Sequence, residues 1–515
     1  MRSSRPLVVL LLVYTIVQLY AIPRLSINYD EESFLMYGIT LLKGDADKDI
    51  NHYESKLPIT TLNALPRAVQ QLMDPELNKI NPTDDIVAGR YISLLVSIML
   101  ALLIYRWTML WYGQKAGLVA LIFYLLCPNI LAHGIFLSSD VFAFLFPALS
   151  IYFLSAFYER CRMKDFLAFS FSFALAMITK FSLLHMLPVV MIIILFRIAG
   201  IGQLKDIFSR NNLGLLAIFI AVNWMVISSS HLFFDMFFPL NKFTYQSSAF
   251  KNLVQILGPI AEYIYVPLPS SYVRSIDLVM YFDSRGGGWP GALNGRPYIL
   301  GQYSSTGFWY YYVVSFFYKL PIPFMLLLLT AIIAFASKYG LKFWKEKEIF
   351  LLVPVVYYGI YMSFFYSTQI GVRHLLIILP FLFVFSGFFL KTALESSYKW
   401  IMSLLLIWQF ISVALYFPHF LPYTNEFILD KKNAYKKIAD TNLSYREGRK
   451  WLDQYMDQHK AAVFEPKTPM SGTVIVDINN YLGLQDNSVE GRYDWLMPYE
   501  PVGHIHSQYL IFEIP

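Results

Sequence analysis

Apolar runs of membrane-spanning length recur along this chain at about 6–24, 91–112, 116–135, 139–158, 165–182, 183–200, 213–233, 308–336, 349–367, 373–391 and 399–417. A bilayer core about 30 Å thick takes roughly 20 apolar residues of helix to cross. Inside it every backbone polar group must be paired internally, which admits only helices or closed barrels. Runs this long and continuous read as helices, so the chain is expected to be an all-α polytopic membrane protein with about 11 spans. Composition agrees. Of 515 residues, 57% are hydrophobic and 15% charged, against roughly 45–50% apolar in soluble domains. The runs 165–182 and 183–200 are short and nearly fused at Thr179-Lys180-Phe181-Ser182, which reads as a broken pair. Arg2 and Arg5 precede the first run, as in a signal peptide, but no small-residue cleavage site follows, and we read an uncleaved span.

Loop charge sets the orientation. With the N-terminus inside, the cytoplasmic turns hold Arg5, Lys115, Arg160, Arg162, Lys164, Lys338, Lys342 and Lys391 among others, whereas the short outer turns hold almost only Arg373. That is a positive-inside pattern, and it accounts for the net charge of +6 without a nucleic-acid partner. Three long segments then fall outside the cytoplasm: 25–90, 234–307 and 418–515. The division expected is a transmembrane unit, 1–417, and a small extracytoplasmic α+β domain, 418–515. In the first loop, Leu62–Met73 suits a helix lying at the interface. In the second, Gly286-Gly287-Gly288-Trp289-Pro290 reads as a turn. In the tail, Tyr435 to His459 reads as helical and Gly472–Asp477 as a strand. Cys127 and Cys161 fall at different depths and are not expected to pair.

Ionisable residues beside spans are costly and mark functional sites. Here they gather at the outer rim: Asp30, Glu31 and Glu32 after the first span, Lys56 in the first loop, Asp140 opening the fourth span, Lys180 at the outer end of the fifth, and Arg373 opening the tenth. Lys319 lies deeper, in the eighth. Each has a plainer reading. Asp140 suits a helix cap, Lys180 and Arg373 suit snorkelling, His133 and His185 read as packed helix residues, and Trp309–Tyr312 reads as an interfacial belt. No His/Cys/Asp spacing marks a zinc site. The case for a site rests on co-location. A carboxylate among cations at a membrane rim suits transfer from a lipid-phosphate donor: the carboxylate takes the acceptor proton, and the cations hold the departing phosphate.

In these motifs the chain resembles the GT-C type integral-membrane glycosyltransferases related to protein O-mannosyltransferases and to the aminoarabinose transferase of lipid A, a family 39-like group. The resemblance runs through Asp30-Glu31, Lys56-Leu57-Pro58, Gly89-Arg90, Asp140, Thr179-Lys180, Tyr311-Tyr312 with Lys319 and Pro321, and Arg373 with Pro380, over roughly 1–420. In the tail, Asp440 and Asn442 match a polar element of some bacterial members, whose Asp-Trp-Gly-Gln part is lost here. The resemblance implies a GT-C-like fold, a polyisoprenyl-phosphate-linked sugar as donor, a protein or glycolipid hydroxyl as acceptor, and inversion at the sugar carbon. It assigns the base to Asp30, acceptor positioning to Glu31, phosphate contacts to Lys56, Lys180 and Arg373, and support to Asp140 and Lys319. It leaves a divalent metal open. The location implied is a multi-pass membrane protein, in the inner membrane if bacterial, with its site extracytoplasmic. The rival reading is a transporter or flippase of lipid-linked sugars. Transporters place charges near the midplane between inverted repeats, whereas this chain has no evident repeat and its charges sit at one rim.

Overall fold

The computed structural model describes residues 5–47, 56–74, 82–201, 210–286, 296–393, 399–484 and 491–515. Among the described residues, seven helices are long and apolar enough to cross a bilayer: Arg5–Arg24, Pro82–Tyr112, Asp140–Arg160, Phe181–Ile198, Asn212–Ser230, Ile322–Lys345 and Val372–Lys391. Gln114–Leu125, Ile349–Phe364 and Lys399–Ala414 are apolar but shorter. The chain is an all-α, multi-pass integral membrane protein, and its strands are few and small.

Two of the breaks follow proline chemistry. The expected third run is cut at Leu126-Cys127, and a short helix, Pro128–His133, follows. The expected eighth is two helices, Tyr311–Lys319 and Ile322–Tyr339. Leu320 between them is extended, as the residue before Pro321 should be. The fifth is the helix Met163–Met177, and the sixth begins as a 3-10 turn at Phe181–His185. This is the break expected around Thr179–Ser182.

Burial sorts the helices. In Asp140–Arg160 and Val372–Lys391, 78% of the apolar window is buried, against 11% in Asn212–Ser230. The first two form the centre. The last shows Leu213, Leu216, Ile220 and Met225 outward, which suits contact with lipid. The helix Thr61–Met73 buries Asn63, Ala64 and Arg67 and exposes Val69, Leu72 and Met73, a two-faced pattern suited to the interface.

The tail starts less helically than expected. Between Tyr435 and His459 only Arg449–Gln458 is α-helix, and Lys431–Lys436 and Asp440–Asn442 are 3-10 turns. Its sheet has four strands in the order Val463–Phe464, Gly472–Asp477, Tyr509–Ile514, Gly503–Ile505, with the first pair parallel and the rest antiparallel. Val474 pairs with Phe512 and Val476 with Leu510, and all four side chains are buried. Cys127 is buried and Cys161 exposed, and both are free.

Candidate active site

After the first span the chain makes one 3-10 turn, Ile22–Arg24, is extended at Leu25, and turns at Tyr29-Asp30 into the helix Glu31–Leu42. Asn28, two residues before the N-cap position, holds the start of that helix. Its Oδ1 accepts from the N–H groups of Asp30 (3.0 Å) and Glu31 (3.1 Å). Asp30 stands at the helix start yet makes no capping bond of its own, so its carboxylate is left for other partners.

Those partners are cationic. Arg373 Nη1 donates to Asp30 Oδ2 at 3.1 Å, and Lys56 Nζ stands 3.9 Å from Oδ1. The Tyr445 hydroxyl donates to Asp30 Oδ2, and Arg373 Nη1 donates to that hydroxyl. The Asp30 side chain stays 30% exposed, while Lys56 and Arg373 are near 10%. Burial alone would raise the Asp30 pKa, but Lys56, Arg373 and the Tyr445 bond outweigh it and hold it at about 2. Burial, with Asp30 beside it, pushes the Tyr445 phenol well up despite Arg373, which keeps it a hydrogen-bond donor.

Asp140, 3% exposed, opens its span beside this group. It makes no cap of its own helix. It accepts from Lys180 Nζ at 2.9 Å, has His133 Nδ1 at 3.7 Å, and lies within electrostatic reach of Arg373. The cap and snorkelling readings therefore give way to ion pairs for Asp140, Lys180 and Arg373. His133 joins the cluster, whereas His185 is a packed residue on Tyr357 and Tyr361.

Glu31 does something else. It is fully buried and grips Arg90 through two bonds, Nε to Oε1 at 2.7 Å and Nη2 to Oε2 at 2.6 Å. The N–H of Leu137 also donates to Oε1 (3.0 Å) and that of Asn28 to Oε2 (2.9 Å). The remaining Arg90 protons go to the carbonyls of Ile22, Leu25 and Ser26. Glu31 therefore has no open side to offer an acceptor. The expectation of acceptor positioning gives way to a buried tie between the first loop and the second span.

The tail motif of Asp440 and Asn442 supports Arg373. Asn442 Oδ1 accepts from the N–H of Val372 at 2.8 Å, and the Thr441 hydroxyl donates to the Ile370 carbonyl. Between them Gly371 has φ +143°, and a Cβ there would collide with Thr441 Oγ1, so glycine lets the tail close on this turn. Lys319, 1% exposed, donates to the carbonyls of Leu421 (2.5 Å) and Asn442 (2.7 Å). It ties the helix break at Pro321 to the tail. Tyr311 and Tyr312 are fully buried, the latter donating to the Thr368 carbonyl, while Trp309 is 60% exposed. The belt reading holds at most for Trp309. Trp289 and most of the glycine run lie outside the described residues.

Tyr445 is the site residue that sequence reasoning missed. Its one signal was its place within the tail motif, five residues after Asp440. Beside it, Arg446, Arg449 and Lys450 join Glu32 and Arg90 around a separate cavity of about 280 Å³.

The described residues contain no group of three or more His, Cys, Asp or Glu able to hold a metal ion. The donor set is also a poor match for a divalent cation: Asp30 and Asp140 face Lys56, Lys180 and Arg373, two carboxylates against three cations. Such a set suits an anion.

No curated protein matches this chain. Among solved structures, ArnT from Cupriavidus metallidurans in the apo state aligns at 10% identity and TM-score 0.48 over 98% of this chain and 97% of that one. The same protein bound to undecaprenyl phosphate aligns at 9% identity and TM-score 0.48 over 99% and 98%. The archaeal oligosaccharyltransferase AglB from Archaeoglobus fulgidus, in complex with an inhibitory peptide and a dolichol-phosphate, aligns at 12% identity and TM-score 0.45 over 88% and 60%. Residues 79–227, which carry Arg90, His133, Asp140 and Lys180, match the family described as dolichyl-phosphate-mannose-protein mannosyltransferase, and the resemblance read from the sequence stands on that stretch.

Proposed function

We propose that this protein is a membrane glycosyltransferase that moves a sugar from a polyisoprenyl-phosphate donor to a hydroxyl of a protein or glycolipid, on the extracytoplasmic side. The observation that carries the reading is the meeting of a part-exposed Asp30 with Lys56 and Arg373 just after the first span. The family matched by residues 79–227 supports the donor class.

In the reaction, the acceptor oxygen attacks the anomeric carbon as Asp30 takes its proton. The bond from that carbon to the phosphate oxygen breaks with inversion, and the lipid phosphate leaves with the electron pair. A phosphate departs without a strong acid but needs positive charge around it. Arg373 and Lys56 are the contacts assigned to it, with Lys180 behind them and Asp140 holding Lys180. A carboxylate with a pKa of about 2 is a weak base at neutral pH. Donor binding corrects this: a phosphate that engages Arg373 and Lys56 withdraws them from Asp30, and its pKa rises. The base is thereby switched on by the substrate whose departure it must accompany.

The test is radiolabelled dolichyl-phosphate mannose with the purified protein in liposomes, supplied with proteins and glycolipids extracted from the host's membranes as acceptors. Sugar should leave the lipid, and Asp30→Asn should lower that rate by about 100- to 10,000-fold, the usual cost of losing a positioned base, with donor affinity little changed. Movement of intact donor between leaflets with no sugar released would favour the flippase instead.

A further inference from the structure

A single atom stands where the acceptor should. In the proposed reaction the acceptor presents a hydroxyl that donates to Asp30 while the neighbouring cation holds phosphate. In the resting protein Tyr445 makes that contact: its O–H donates to Asp30 Oδ2 and accepts from Arg373 Nη1. We propose that the Tyr445 phenol occupies the acceptor-hydroxyl subsite and is a built-in plug, which an incoming acceptor hydroxyl must displace before transfer. The proposal rests on Asp30 being the base.

The backbone around Tyr445 is fixed as a presented group would be. The Ser444 hydroxyl donates to Asp477 Oδ2 at 2.8 Å, and the Tyr445 N–H donates to Glu447 Oε2 at 2.9 Å. Glu447 is fully buried and meets His419 Nε2 at 2.6 Å, and its carbonyl accepts from the N–H of Ser26 at 2.8 Å. The ring lies edge-on to Phe136, with centroids 6.2 Å apart, and tilted against Tyr29 at 6.3 Å. These contacts hold the ring and leave its hydroxyl as the polar end at the base. Release requires this ring to leave its packing on Phe136 and Tyr29. The plug also has a use. A donor bound without acceptor would face water at Asp30, and water is a hydroxyl too. The phenol keeps water from that point, because it fills the place between the carboxylate and the guanidinium where a water would find two strong partners. The acceptor that replaces it must bring its own hydroxyl on a group able to push a tyrosine ring aside.

The experiment needs no identified acceptor. Tyr445→Phe keeps the ring contacts and removes one oxygen, leaving space for one water between Asp30 and Arg373. With dolichyl-phosphate mannose as probe and no acceptor, that water attacks the anomeric carbon, its proton passes to Asp30, and free mannose and dolichyl phosphate result. Release of mannose should rise by about 10- to 100-fold over the parent, the scale of losing a hydrogen bond to a charged group. Tyr445→Ala should raise it as well, and adding Asp30→Asn should abolish the gain. Equal or lower release from the Tyr445 variants, zero included, overturns the plug. A rise that survives Asp30→Asn overturns the base assignment and, with it, the plug. Binding of dolichyl phosphate is measured in parallel by its effect on melting temperature. A parent that neither binds it nor releases sugar fails the proposed function as well as the plug, whereas one that binds it with no difference between forms fails the plug alone.

Discussion

Two neighbouring carboxylates should fail in opposite ways, and Glu31→Gln tests this most sharply. Each Glu31 oxygen accepts two N–H groups: Oε1 from Arg90 Nε and Leu137, Oε2 from Arg90 Nη2 and Asn28. Whichever way a glutamine amide turns, its NH₂ faces two donors at 2.6–3.0 Å where two acceptor bonds stood. Arg90, fully buried, is left charged without a counter-ion. Removing one partner of a buried pair costs about 3–5 kcal/mol. Asp30→Asn, at a part-exposed carboxylate, should cost far less. The assay is thermal unfolding in detergent with a thiol-reactive dye on buried Cys127, in a Cys161→Ser background that removes the exposed thiol. Apparent midpoints are compared at one scan rate, since such melts are kinetic. Glu31→Gln should melt well below the parent and Asp30→Asn beside it. The double variant Glu31→Leu with Arg90→Met should recover part of the loss, because no buried charge remains, although the carbonyls of Ile22, Leu25 and Ser26 lose their donor. If Glu31→Gln melts with the parent and instead raises the KM for an acceptor, the buried tie is refuted and Glu31 faces substrate after all.

Arg373→Met should weaken donor use by about tenfold or more through loss of a charged contact. Lys180→Met should also lower stability, because it strips buried Asp140 of its 2.9 Å partner. Kinetic constants and melts on both variants check this. The tail should lose stability as pH rises from about 4 to about 7. Burial, helped by Glu465 and opposed by hydrogen bonds, raises the Asp477 pKa from 3.8 to about 7. The folded form therefore holds a proton that the unfolded form has released across that window. Limited proteolysis of the tail between pH 5 and pH 8 should show the trend, and Asp477→Asn should flatten it. For topology, single cysteines at exposed Asp45, Glu262 and Asp457 should all react with an impermeant reagent in intact cells, while native Cys161 should react only after lysis. Labelling of Cys161 in intact cells would overturn the orientation.

The sequence made the spans legible because the bilayer leaves apolar chain one way to satisfy its backbone. It made Asp30, Lys56, Asp140, Lys180 and Arg373 legible as a group because topology alone brings span ends to one rim. It misled at Glu31 for a geometric reason. Asp30, Glu31 and Glu32 are adjacent in sequence, but a helix turns by about 100° per residue. At a helix start they therefore face three ways: Asp30 to the cations, Glu31 inward to Arg90, and Glu32 to the neighbouring cavity. A run of carboxylates before a helix is thus three separate sites, and only a structure tells which one is open.

Tyr445 was hidden for the opposite reason, since its bond to Asp30 spans 415 residues of sequence and no local pattern can announce such a contact. The same distance bears on the expected division at 417/418. The turn before Arg373 is held by Thr441 and Asn442, Lys319 is satisfied by Leu421 and Asn442, and Ser26 leans on Glu447. Each contact joins the span-bearing part of the chain to the tail, and the tail residues concerned come from one segment, 421–447. Cutting there would leave apolar helices able to insert, since their backbone bonds are internal. It would also leave buried Lys319 without its two acceptors and Arg373 without the clamp on the turn that presents it. The tail is therefore part of the site's wall, and the geometry around Asp30 waits on its folding.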